Sequence, residues 1–316
     1  MDEVIQTHGL TRSFGGRRVV DGLKLAVPRG AIYALLGDNG AGKSTTIRML
    51  TGLLPADSGS ASILGQDCWS AAVPLRHRVG YVPERPKYYD WMTVDEIGQF
   101  AAAFHQPGYA ARYRTLVERF RLDAKSKLKT LSKGSYAKVG LALALAVDPE
   151  VLILDEPTSG LDLFTRREFL GSMVDLAAEG RTILIASHAV AEVERVASHA
   201  AFISAGRLLL AGPLDELRQR LIGVRVRHSD TPVEPAGLGV MLACQRSGRE
   251  WRAFVLDPDR PAVAALRHRP GVVEVDEEPL TLEEMYTALL AGTDGDGRSS
   301  TVNGRPAVIE ENGGRR

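Results

Sequence analysis

The first half of the chain alternates short apolar runs with glycine-rich breaks. Residues 5–8 and 19–27 carry the pattern of two β segments joined by a polar turn that holds Gly15 and Gly16. Residues 31–36 are continuously apolar, as a strand buried on both faces must be. A glycine loop follows, then a helical stretch over about 43–53 that Pro55 ends. Residues 88–147 change character. Thr93 and Glu96 have the spacing of a capping box, a hydroxyl that accepts from the backbone and a carboxylate three residues on, and predict a helix reaching His105. Two more helical patterns cover 109–120 and 135–147, so the block reads as a mostly helical insertion into an α/β domain. Apolar strands at 151–154 and 182–186, with a helix at 164–178 between them, predict a parallel sheet covered by helices. Beyond about Pro213 the pattern weakens: 244–255 reads as a hairpin turning at Ser247 and Gly248, and 283–290 as a closing helix.

These patterns predict one large α/β domain over 1–213, with the helical subdomain at about 88–147. A small accessory domain is expected at 214–291, and a Gly-rich polar tail without fixed structure at 292–316. Lys plus Arg and Asp plus Glu balance at 39 each, which gives none of the basic excess expected of a protein that grips nucleic acid. Cys68 and Cys244 lie far apart and form no CxxC pair, so they read as reduced thiols of a cytosolic protein and not as a disulfide framework or zinc site. The start, Met1-Asp2-Glu3, lacks the basic and apolar segments of a signal peptide. The longest apolar run, 139–147, falls well short of the roughly 18 residues that span a bilayer. Any work at a membrane is expected beside it.

Chemistry concentrates in two places. Gly37-Asp38-Asn39-Gly40-Ala41-Gly42-Lys43-Ser44 fits GxxxxGK[ST] after a buried strand and at the start of a helix. Glycines let the backbone turn several N–H groups onto one phosphate chain, the helix N-terminus adds a positive dipole end, and Lys43 adds a full charge. Ser44 offers a hydroxyl to Mg²⁺. The loop by itself leaves a kinase, a GTPase and a transport ATPase open. Residues 151–154 then lead into Asp155 and Glu156. A carboxylate at the tip of a buried strand is the usual second anchor for Mg²⁺, which selects Asp155, and Glu156 one residue on is placed to polarise a water against the γ-phosphate. His188 follows the strand at 182–186, but periodicity does not single it out.

On these motifs the chain resembles the nucleotide-binding subunits of ABC transporters over about residues 2–210. Leu131-Ser132-Lys133-Gly134-Ser135 is similar to the family's LSGGQ signature, Ser159-Gly160-Leu161-Asp162 to its D-loop, and Ser187-His188 to its switch histidine. Phe14 stands where the family stacks an aromatic ring on adenine. The resemblance implies a P-loop NTPase fold with an ABC-type helical subdomain, an N-terminal antiparallel β subdomain and a small α+β C-terminal extension. It implies ATP and Mg²⁺ as cofactors, with Gly37, Asn39, Gly40, Ala41, Gly42, Lys43, Ser44 and Thr45 cradling the nucleotide. Glu84 stands at the Q-loop position, where the family usually has glutamine, and would reach nucleotide and Mg²⁺ alongside Ser44 and Asp155. Glu156 and His188 would be catalytic. Ser132, Gly134 and Asp162 would serve a site shared head to tail with a second ATPase subunit, so that ATP draws the halves together and hydrolysis releases them.

Lys133 and Ser135 depart from the signature's usual Gly and Gln, and Asp38 replaces a common proline in the phosphate loop. The LSKG form, Glu84 and the segment Pro279-Leu280-Thr281-Leu282-Glu283-Glu284-Met285-Tyr286 look most like bacterial ABC-2 type exporters. There the resemblance implies a separate integral-membrane permease as partner, no nucleic acid, and a cytoplasmic ATPase held peripherally on the inner face of the membrane. The alternative is a soluble ABC ATPase acting on ribosomes or DNA. Such proteins usually carry two motor domains or a long coiled-coil insertion, and neither is present here. A binding module with negligible turnover is a third reading, against which the Asp155–Glu156 pair speaks.

Overall fold

Extended backbone must find partners for its amides, and residues 3–28 find them in one long hairpin. In the computed structural model, which describes residues 2–229 and 233–293, β1 (Glu3–Phe14) and β2 (Arg17–Pro28) pair antiparallel from Phe14↔Arg17 at the turn to Glu3↔Pro28. Both strands outrun the apolar pattern, because polar residues such as Ser13 and Arg18 also pair in the ladder. β3 (Ile32–Leu36) is buried at every position and leads into the glycine loop. α1 (Lys43–Leu50) stops short of the expected Leu53, since Gly52 turns the chain with φ +66°. β4 (Ser58–Ile63) and β5 (Gln66–Asp67) complete a four-stranded antiparallel sheet in the order β2-β1-β4-β5. α2 (Ala72–Leu75) and β6 (Val79–Val82) follow.

The helical block is α3 (Val94–Ala102), α4 (Tyr109–Arg119) and α5 (Lys133–Leu145). Both arms of the capping box form: Thr93 Oγ1 accepts the Glu96 N–H at 3.2 Å, and Glu96 Oε2 accepts the Thr93 N–H at 2.7 Å. Met92, Val94, Ile97, Tyr113, Val117 and Val139 make the block's own core. Tyr113 donates its hydroxyl to Val94 O at 2.8 Å, and its ring lies so close to Gly98 that a Cβ there would sit 2.0 Å from a ring carbon. α5 begins at Lys133 and not at Ser135, because Ser132 Oγ accepts the Ser135 N–H at 3.1 Å and caps the helix two residues earlier than apolar periodicity suggests.

β7 (Val151–Asp155), α6 (Leu163–Ala178), β8 (Thr182–Ser187), α7 (Val190–Val193), β9 (His199–Ser204) and β10 (Arg207–Pro213) come next. They build a six-stranded sheet in the order β10-β9-β3-β8-β7-β6, in which β9, β3, β8, β7 and β6 run parallel. The first compact unit, Met1–Leu208, ends within β10.

The second unit, Leu209–Arg316, contains α8 (Leu214–Arg220), β11 (Leu221–His228), β12 (Val240–Ser247), β13 (Glu250–Leu256), α9 (Arg260–Ala265), β14 (Val272–Pro279) and α10 (Leu282–Ala291). Its strands form an antiparallel sheet in the order β12-β13-β11-β14. Alternation divides the faces: Ile222, Val224, Val226, Trp251 and Val255 pack with Val263 and Leu266, while Arg225 and Arg252 both ion-pair with Glu278 on the other side. Of the tail expected to lack fixed structure, Gly292 and Thr293 bond back to Ala288 O and Leu290 O at the end of α10; residues 294–316 lie outside the described residues. Among the described residues no helix is long and apolar enough to cross a membrane.

The Gly98–Tyr113 contact is testable. Gly98→Ala forces a buried, tethered ring to move and is expected to destabilise the chain by roughly 1–3 kcal/mol, lowering its denaturant midpoint. A midpoint equal to the parent's contradicts the packing.

Candidate functional site

Strand order, and not sequence order, assembles the site. In the parallel sheet Leu36 pairs with Ser187, Asp155 with Ala186 and Val82 with Leu154. The residues that leave the C-terminal ends of β3, β8, β7 and β6 therefore emerge side by side: the glycine loop, His188, Glu156 and Glu84. Ligands of open α/β sheets bind at this edge.

The loop from Gly37 to Gly42 closes over its own lysine. Gly42 sits at φ +104°, and a Cβ there would lie 2.6 Å from Val19 O, so a side chain is excluded both by conformation and by contact. Lys43, only 5 % exposed, donates from Nζ to Gly37 O at 2.5 Å and to Asp38 O at 3.2 Å. Its ammonium also lies 3.4 Å from Glu156 Oε1. Ser44 and Thr45 open α1, whose first turn carries no acidic residue, so the amides of this turn keep their positive end for an anion. Asn39 and Gly40 are exposed at the outer rim, and Ala41 is buried beneath them. From outside the loop, the Gly206 N–H donates to Ala41 O at 3.0 Å and braces it. No sequence signal had pointed to Gly206, because its partner is 165 residues away by number (206 against 41).

Ser44 Oγ donates to Asp155 Oδ1 at 3.0 Å. Burial pushes the Asp155 carboxyl above its ordinary range; the Ser44 bond works the other way, and the nearby Glu156 and Glu84 carboxylates push with burial. Burial and the Asp155 charge likewise raise the neighbouring Tyr81 phenol to about 12. Glu156 is 8 % exposed and takes φ +49°, a conformation costly for a residue with a side chain, held by its own N–H donating to Ala186 O at 2.9 Å. Its Oε2 meets His188 Nδ1 at 2.7 Å and accepts the His188 N–H at 3.3 Å. Facing a carboxylate, His188 Nδ1 carries the proton. The other oxygen, Oε1, is buried and has no hydrogen-bond donor; Lys43 is its only charge partner among the described residues.

Lys43, Ser44, Asp155, Glu156 and His188 thus form one cluster, with Glu84 beside it. Glu84 is more exposed and has Arg85 Nε at 3.3 Å. The remaining candidates lie elsewhere on this unit. Ser132 caps α5, and Gly134 packs on α6, where a Cβ would meet Thr165 Cγ2 at 2.6 Å. Asp162 caps α6: it accepts the Phe164 and Thr165 N–H groups at 3.1 and 3.0 Å and the Thr165 hydroxyl at 2.6 Å, which lowers its pKa. Phe14 is 47 % exposed, with the Arg12 guanidinium 5.0 Å over its ring. Among the described residues no three His, Cys, Asp or Glu side chains could hold a metal ion by themselves. The Ser44–Asp155 pair instead offers hard oxygen donors to a cation that completes its shell with phosphate and water, which suits Mg²⁺.

A family model described as ABC transporter matches residues 20–159. The Nod factor export ATP-binding protein I of Burkholderia orbicola is 36 % identical over 295 residues, covering 90 % of this chain and 96 % of that protein. The daunorubicin/doxorubicin resistance ATP-binding protein of Streptomyces peucetius is 33 % identical over 315 residues and covers 94 % of each. Among solved structures, an ATP-binding subunit of an ABC transporter matches with a TM-score of 0.62 at 32 % identity, over 68 % of this chain and 92 % of that one.

Lys43→Ala removes the buried ammonium from under the loop. Titration calorimetry with ATP is expected to show affinity falling by at least about tenfold, the worth of one charge-assisted contact; unchanged affinity contradicts the phosphate-loop assignment.

Proposed function

Because the chain belongs to the ATP-binding subunits of ABC transporters, and is an ATPase subunit of the exporter type, we propose that its hydrolytic work rests on the Lys43–Glu156–His188 cluster. The observation that carries this reading is Glu156 Oε1, buried and without a hydrogen-bond donor beside Lys43. A carboxylate oxygen without a hydrogen-bond donor keeps its acceptor capacity for a water that enters with the nucleotide, and His188 on Oε2 fixes which oxygen is free. Lys43 exchanges Glu156 for phosphate oxygens when a triphosphate enters, which leaves Glu156 Oε1 without its cation partner. Ser44 and Asp155 are the residues that hold Mg²⁺, with Glu84 as the next carboxylate; when bound, the ion neutralises phosphate charge. Gly37, Asn39, Gly40, Ala41, Gly42 and Thr45 supply the cradle, and Phe14 a face for the base.

Ser132 and Gly134 at the start of α5, with Asp162 nearby in the D-loop, serve the nucleotide of a second ATPase subunit placed head to tail. The N-terminus of α5, whose first-turn amides favour an anion and whose Gly134 packs on α6 just after the D-loop, supports that reading. The subunit works on the cytoplasmic face of the membrane, held there by a separate permease, which also selects the cargo. Residues 1–213 form the motor and 214–291 an accessory domain.

Glu156→Gln keeps shape and removes the base. Turnover is expected to fall by roughly 100-fold or more, with ATP affinity retained and a dimer accumulating by size-exclusion chromatography in MgATP; parental turnover refutes the assignment. Membrane fractionation checks the partner: the chain is expected in the membrane pellet only when co-expressed with its permease, and an unchanged distribution counts against it.

A further inference from the structure

Two segments of the site are tied together a second time, away from the nucleotide. On one side, the chain runs from Glu156 through the D-loop into α6. On the other, it runs from His188 into α7. They meet first at Glu156–His188. They meet again at Arg166 on α6 and Glu192 on α7, whose side chains pair directly and are each about a quarter exposed. Arg166 uses its second terminal nitrogen to donate to Leu161 O, within the D-loop, at 2.9 Å. Thr158, buried between Glu156 and the D-loop, turns its hydroxyl towards Glu192 Oε2 at 3.5 Å. The two links close a ring of contacts that runs 156, 158, 161, 166, 192, 188 and back to 156.

An ion pair of this exposure adds little to stability, and Arg166 Nε is buried without a partner, which subtracts from it. What the pair does fix is geometry. With Glu192 held by Arg166 four residues on, the backbone that carries His188 is restrained beside Glu156. The D-loop carbonyl cannot shift without pulling the same guanidinium. Resting on the assignment of Glu156 and His188 given above, we propose that Arg166 and Glu192 are positioning residues for ATP hydrolysis, which lock the switch-histidine segment to the D-loop so that a displacement of either moves the other. Both pair outside the Lys43–Glu156–His188 cluster and act through His188.

The test is a double-mutant cycle on the full chain: Arg166→Gln, Glu192→Gln and both together, with Glu156→Gln as reference. Each single change is expected to lower kcat by about tenfold and leave the ATP KM within about twofold, with Tm near the parent's. The double variant is expected to lose no more than a single one, since residues acting as a unit are not additive. Three results overturn the proposal: kcat within about twofold of the parent, losses that multiply in the double variant, or a loss of kcat that tracks a fall in Tm. If Glu156→Gln itself keeps turning over, the base assignment has failed instead. If Glu156→Gln is inactive while the Arg166 and Glu192 variants match the parent, only the coupling has failed.

Discussion

A buried ammonium needs a counter-charge, and Lys43 finds one in Glu156 across the C-terminal edge of the parallel sheet. Taking both charges out of water is costly, and the ion pair offsets that cost only while its geometry is kept. That geometry requires β3, β8 and β7 to lie side by side and in register, so that a loop leaving one strand and a carboxylate leaving another come within 3.4 Å. The strained φ of Glu156 and the loop folded tightly over Lys43 belong to the same arrangement. An uncharged pair packed there would be as stable or more so; the charged one is suited to an anion that trades places with Glu156.

The parts of this site that were legible in the sequence are those set by spacing along the chain. The glycines and Lys43-Ser44 follow a buried strand at once, Asp155-Glu156 end another, and Thr93 and Glu96 cap a helix three residues apart; each signal fits within one turn or loop. The strands that escaped notice, β4, β5, β6, β9, β10, β11 and β14, are short, polar on one face or paired with distant partners. β14, for example, alternates Glu274, Asp276 and Glu278 against Arg227 and Arg225 on β11, a ladder of charges invisible to an apolar pattern. His188 was placed by resemblance alone, since its value comes from a neighbouring strand.

Helix starts were the second blind spot. Ser132 and Asp162 read as site residues, and both turn out to cap helices, which apolar periodicity cannot time to better than a residue or two. Capping does not compete with the proposed role of Ser132, because the same amides that donate to a capping oxygen make the helix end attractive to an anion. For Asp162 both carboxylate oxygens accept from α6, so on the proposed reading its contribution to a shared site includes holding the D-loop backbone in place.

On the proposed reading each chain holds half of two sites: the cradle of one and the signature helix of the other. Mixing two inactive chains tests this most directly. Lys43→Ala spoils the cradle, and Ser132→Asp keeps a good helix cap while placing a negative charge where phosphate must sit. Each variant alone should be inactive, and their mixture should recover turnover from the one intact site of the mixed dimer. A mixture as inactive as its components, with both variants folded and associating, would contradict a site shared between two copies.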